Sequence, residues 1–206
     1  MAVPNPAASQ ILQSLSGHPK LLMKMRILSL GKNYDVMDEN QQTLCQVGLD
    51  SSQNMKGAVV GSAVASVAGD FVGRLVQRNM QYTYTVKDPA GNLAYEIRKG
   101  SGAYTAEFQV VDPTANAVVG TIGMKRSFIG GLKAVWMDPA GQTLLSTKGN
   151  IIRRKYMIMD ATGKAVGHVR HKILAIRDVW ELDLEPQVNH LYSALFATVL
   201  DFEKKM

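Results

Sequence analysis

Five groups of cations punctuate the chain: Lys24 with Arg26, Arg98 with Lys99, Lys125 with Arg126, Arg153 with Arg154 and Lys155, and Arg170 with His171 and Lys172. Single aspartates fall between them, at Asp38, Asp88, Asp112, Asp138 and Asp160. Each residue type suggests a chemistry. Clustered lysine and arginine attract phosphate and other anions. Carboxylates brought together in pairs can move protons. His168 and His171 raise the question of a metal. The last two chemistries weaken on local grounds. Every aspartate opens a turn and has a structural role there. The alternating pattern around the two histidines reads as a strand, on which a spacing of three puts them on opposite faces. A nucleophile elbow, a Walker A loop, HExxH and a GxGxxG after a strand are all missing from the sequence. The reading is therefore of a protein without catalytic residues, metal or cofactor. Its candidate site is the set of cations, expected to bind anionic lipid or phosphate: Lys24, Arg26, Arg98, Lys99, Lys125, Arg126, Arg153, Arg154, Lys155, Arg170 and Lys172.

The elements that must position these cations follow from an internal repeat. YDVMDENQQTLCQV, YTVKDPAGNLAYEI, FQVVDPTANAVVGTI, AVWMDPAGQTLLST and YMIMDATGKAVGHV share one pattern: an alternating apolar run, an aspartate with a turn, and a second alternating run. In DPAG at 88–91 and 138–141, Asp can accept from its own backbone, Pro presets φ, and Gly tolerates a left-handed conformation. DATG at 160–163 lacks only the proline. Flanks rich in Val, Ile, Tyr and Phe complete a series of β-hairpins. Trp136 and Trp180, like Met23, Met25, Met157 and Met159, fit strand faces in the core or barrel wall. The aspartate turns should gather at one rim and the cations between hairpins at the other.

Two stretches stand outside the repeat. NHLYSALFATVLDFEKKM at the end is apolar nearly all round, with Asn189 as N-cap and a cationic end that suits the helix dipole. It is too short to span a bilayer, and an antiparallel array of about twelve strands could close around it. GAVVGSAVASVAGDFVG at 57–73 carries small residues every four positions, a spacing that lets helices approach closely. It interrupts the repeat, so it reads as an inserted helix at about 55–78 that packs on the barrel or a partner. Met1 to Pro19 reads as a loose arm with a short helix at 10–15, and residues 20–206 as a single domain with a central helix at 189–204.

Bulk properties set looser bounds. The 206 residues carry a formal charge of +6, 46% are hydrophobic and 19% charged, so the chain can bury a core and favours anionic partners. Cys45 is the single cysteine, which rules out an internal disulfide and suggests a reducing compartment. The N-terminus lacks the pattern of a secretory signal. A cytoplasmic place, peripheral to a membrane, is the expectation. Aromatic residues are not interleaved with the cations as single-stranded nucleic acid would require, so that partner is not expected.

The strand–DxxG–strand repeats, the KILAIRDVWELDLE segment and the closing ALFATVLDFEKK together resemble the LURP-one-related family, grouped with tubby C-terminal domains and phospholipid scramblases. The resemblance covers about residues 21–205, apart from the insertion. It implies a mainly β fold: a closed antiparallel barrel of twelve strands around a buried C-terminal helix. It also implies a membrane connection, through phosphoinositide headgroups in tubby domains and through lipid movement in scramblases. The chain departs from a calcium-triggered scramblase, because Glu181, Asp183 and Glu185 alternate on one strand instead of forming a ligand loop. The expected function is a non-enzymatic barrel that binds anionic phospholipid or phosphoinositide surfaces. The alternatives are a protein-interaction or scaffold module, with a partner or self-association through 57–73, and a scramblase-related protein.

Overall fold

The structure, a computed structural model, describes residues 5–26, 33–49, 82–100, 105–126, 132–150, 155–174 and 177–205. The glycine-rich 57–73 stretch, with the whole 55–78 insertion, and Arg153 and Arg154 lie outside the described residues. The chain runs α1 (Pro6–Leu15), β1 (Lys20–Met25), β2 (Asn33–Met37), β3 (Thr43–Leu49), β4 (Thr83–Lys87), β5 (Leu93–Lys99) and β6 (Thr105–Asp112). It continues with β7 (Ala117–Arg126), β8 (Leu132–Met137), β9 (Thr143–Asn150), β10 (Lys155–Asp160), β11 (Ala165–Leu174), β12 (Arg177–Leu184) and α2 (His190–Lys205). Each strand pairs antiparallel with its sequence neighbours and β1 pairs with β12, so the twelve strands close into a barrel. Closure removes the edges that an open sheet would expose.

The hairpin signals act as the sequence suggests. The backbone N–H groups of Gln42, Asn92, Gln142 and Lys164 donate to the carboxylates of Asp38, Asp88, Asp138 and Asp160, four residues before each, at 2.8, 2.8, 2.8 and 3.0 Å. Three residues after each aspartate the backbone enters the left-handed region, at Gln41 (φ 65°), Gly91 (93°), Gly141 (81°) and Gly163 (84°). In each of these hairpins the register shifts one or two residues before the aspartate, as a turn followed by a bulge requires. Asp112 closes a different turn: it caps Thr114 N at 2.8 Å, and Asn116 holds the positive φ.

Alternation sends one face of every strand inward. Tyr34, Phe108, Trp136, Tyr156 and Trp180 are fully buried there. Helix α2 fills the lumen, with Leu191, Ala194, Leu195, Ala197 and Val199 buried and Tyr192 stacked on Trp136 at 4.4 Å. Two of its buried hydroxyls bond backbone carbonyls four residues earlier: Thr198 Oγ1 donates to Ala194 O and Ser193 Oγ to Asn189 O. Asn189 is the N-cap, accepting from Tyr192 N at 3.2 Å. Cys45 is enclosed in this core, where desolvation pushes its thiol up to about 12.

The N-terminal stretch, expected to be a loose arm with a helix at 10–15, holds the ten-residue helix α1 with Ala7, Ala8, Ile11 and Leu15 buried. Asn5 explains the difference. Its Oδ1 caps Ala7 N and Ala8 N, while its Nδ2 donates to Ala94 O at 3.0 Å, Leu93 O and Asp112 Oδ1. The cap thereby fastens α1 to β5 and the turn after β6, at the aspartate end of the barrel. Among the described residues, no helix is long and apolar enough to cross a membrane.

Candidate functional site

Among the described residues, the cation groups lie toward the strand ends remote from the aspartate turns, and Lys24 alone is seen to reach back to one, at Gln41 of the Asp38 turn. At those ends, however, alternation divides neighbours. Arg98 faces solvent, whereas Lys99 turns into the barrel, 3% exposed, with Nζ 5.7 Å from the Tyr82 ring centroid. Arg170 and Lys172 face out, while His171 between them is buried against Trp180. His168 is exposed and His171 buried, on opposite faces of β11 as their spacing requires.

The outward cations then separate by their partners. Arg26 forms a two-pronged ion pair with Asp35, at 2.6–2.9 Å, and this hydrogen bonding raises its already high pKa further. Arg98 pairs with Glu96 at 2.7 Å, Lys172 with Glu181 at 2.7 Å, and Arg170 with Asp183 at 3.5 Å. Lys24 donates to Gln41 Oε1 at 2.6 Å. Arg26, Arg170 and Lys172 take their acids from a neighbouring strand, Asp35 on β2 and Asp183 and Glu181 on β12, whereas Arg98 takes Glu96 from its own strand.

A different pattern holds along β7–β10. Lys125 lies directly across from Lys133, and Lys155 across from Arg170. Lys148 faces Met157, which in turn faces His168. Lys125, Lys133, Lys148 and Lys155 are exposed and form no ion pair among the described residues. Like charges opposite one another on a sheet are destabilising, with Cβ atoms about 5 Å apart, so this arrangement does not serve the fold. Between β9, β10 and β11 the side chains of Lys148, Lys155 and Arg170 border a shallow pocket of about 180 Å³, which the 39%-exposed Met157 also lines. An anion with several oxygens would satisfy three cations there at once.

Of the cations named from sequence, Lys125, Lys155 and Arg170 belong to this wall. Arg26, Arg98 and Lys172 are held in ion pairs elsewhere, Lys24 is bound to Gln41, and Lys99 is inside. Arg126 ends β7, opposite Leu132. Lys133 and Lys148 escaped the sequence reading because each is a lone cation, Lys133 in an apolar run and Lys148 between Thr147 and Gly149. Only the pairing of β7 with β8, and of β9 with β10, reveals their place.

The family model described as LURP-one-related matches residues 19–201. The chain belongs to the LURP-one-related family. The matched span runs from the start of β1 into α2, so it covers the complete barrel and most of the helix in its lumen. No curated protein and no solved structure matches the chain.

Proposed function

We propose that this LURP-one-related barrel is a non-enzymatic, peripheral binder of anionic lipid headgroups, working at the cytoplasmic face of a membrane. The observation that carries the reading is the wall of β7–β10, where Lys125, Lys133, Lys148 and Lys155 face outward and form no ion pair among the described residues. Each cation near an anionic bilayer contributes about 1 kcal/mol of attraction. The carboxylates that could have suggested catalysis have another use, since Asp38, Asp88, Asp138 and Asp160 accept hydrogen bonds from their own turns. The lumen, occupied by α2, leaves the outer surface as the place for a ligand.

Co-sedimentation with vesicles tests the proposal. The protein is expected to pellet with vesicles containing phosphatidylserine or a phosphoinositide, to remain in solution with neutral phosphatidylcholine, and to dissociate as salt rises. The double substitution Lys148→Glu and Lys155→Glu should abolish pelleting while leaving the melting temperature unchanged. Equal pelleting with neutral and anionic vesicles, or none with either, rejects the reading.

A further inference from the structure

Across the barrel from the lysine wall, β3 runs between β2 and β4, six places around the ring of twelve strands from β9. Cross-strand register sets the outward residues there in two rows. One row is Lys24, Asp35, Gln46 and Lys87. The next is Asn33, Gly48 and Thr85, and Arg26 joins it by donating its backbone N–H to Asn33 O at 2.8 Å. Gly48 is therefore a missing side chain in a polar grid, and the gap is part of a pocket of about 190 Å³. The Asn33 amide lies across it: a Cβ on Gly48 would overlap Asn33 Oδ1. Gln46, Thr85, Lys87 and Arg26 complete the polar border.

That border holds two cations and no carboxylate. The acids nearest in the register, Asp35 and Glu96, are held by Arg26 at 2.6 Å and by Arg98 at 2.7 Å. Thr85 Oγ1 makes only a long bond, 3.4 Å, to Gly48 O. Among the described residues the side-chain amides of Asn33 and Gln46 form no hydrogen bond, and Lys87 forms no ion pair. Such a lining favours an anion. Its volume suits a single group, since organic ligands as a whole occupy about 300–1,000 Å³. A planar carboxylate is satisfied by one arginine fork, as Asp35 is by Arg26. Donors on β2, β3 and β4 suit a tetrahedral oxyanion, whose oxygens accept from several directions. We infer that this pocket binds the phosphate group of a soluble ligand. Lys87 and Arg26 supply charge, and Asn33, Gln46 and Thr85 supply oriented hydrogen bonds. A barrel with its β7–β10 wall on a bilayer turns this pocket to the solvent side, so the phosphate comes from solution and not from a lipid headgroup.

The inference goes beyond lipid binding, and its first test does not depend on it. Inorganic phosphate titrated into the full chain should give saturable NMR shifts at the Gln46, Thr85 and Lys87 amides, with chloride at the same ionic strength giving none. Gly48→Ala adds one methyl group, which displaces the exposed Asn33 amide and fills the gap without changing the charge. It should weaken phosphate binding at these amides at least about tenfold, while vesicle pelleting and melting temperature stay as in wild type. Lys87→Gln alters only an exposed side chain, so it keeps the fold, and it should weaken binding about fivefold. Lys148→Glu with Lys155→Glu should abolish pelleting and leave the same shifts intact. Shifts that do not saturate, or that persist at full affinity in both Gly48→Ala and Lys87→Gln, overturn the inference. Loss of vesicle pelleting in Gly48→Ala also overturns it, because the pocket would then serve a headgroup.

Discussion

At the aspartate end of the barrel, charge is used up by the protein itself: four carboxylates bind the backbone of their own turns, and Asn5 binds α1 to the rim. Along β7–β10, by contrast, four lysines project from the sheet and form no ion pair among the described residues. The same fold supplies both regions, and strand alternation is identical in both. What differs is whether a polar group has been given a partner. Groups with partners report on stability, and groups without them report on what the surface meets. The comparison makes graded predictions, beginning with the core that both regions share.

Trp136 stacks on Tyr192 and joins barrel to helix, so Trp136→Ala should cost the most, about 3–5 kcal/mol, seen as a large fall in melting temperature. Asn5→Ala removes a helix cap and a buried link to β5, and should cost about 2 kcal/mol. An unchanged melting temperature would mean that α1 does not help to hold the aspartate end. Gln41→Gly should act in the opposite direction. Gln41 holds a φ of 65° at the position where three sister turns have glycine, so the substitution should gain up to about 1 kcal/mol, less whatever the Lys24 hydrogen bond contributes.

The aspartate end should also show an acid-side dependence. The Asn92 side-chain amide holds the Asp88 carboxyl below its ordinary range, and the Thr162 hydroxyl does the same for Asp160. A carboxyl depressed in the folded state contributes stability above its unfolded pKa, and that contribution is lost as pH falls through the folded value. Melting temperature should therefore decline as pH is lowered below about 4. Asp88→Asn should flatten that decline, whereas removing a wall lysine should leave it unchanged.

The sequence carried more of the fold than of the site, for a physical reason. A turn is local: Asp, Pro and Gly within four residues determine its geometry, so DPAG could be recognised without knowing which strands meet. Closure was legible too, since a short helix apolar on all sides needs an enclosing wall. The reach of α1 was less so, because Asn5 finds its partners some ninety residues away, in β5. The site depends still more on distant pairing. Adjacent cations such as Arg98 and Lys99 look like one cluster in sequence, but alternation separates them across the sheet. Lys125 and Lys133, eight residues apart, become direct neighbours only when β7 meets β8. For Arg26, Arg170 and Lys172 the partner is supplied by the neighbouring strand, as Asp35 is for Arg26, and only the Arg98–Glu96 pair lies within one strand among those named.

That last contrast gives the smallest effect on stability and the clearest test of the comparison. Arg26 and Lys155 are both exposed cations near the ends of strands, and both were candidates from sequence. Arg26 is held by Asp35, and Lys155 faces Arg170. Arg26→Ala leaves Asp35 exposed and changes the net charge by the same amount as Lys155→Ala. If overall charge alone attracted the protein to vesicles, the two substitutions would weaken binding equally. If partnerless cations carry the attraction, Lys155→Ala should weaken binding to anionic vesicles about fivefold, the equivalent of roughly 1 kcal/mol, and Arg26→Ala should do clearly less. Stability should respond in the opposite sense: Lys155→Ala relieves a like-charge contact and stays within about 0.5 kcal/mol of wild type, while Arg26→Ala loses an ion pair. Equal effects on vesicle binding would reduce the wall to a share of the net charge.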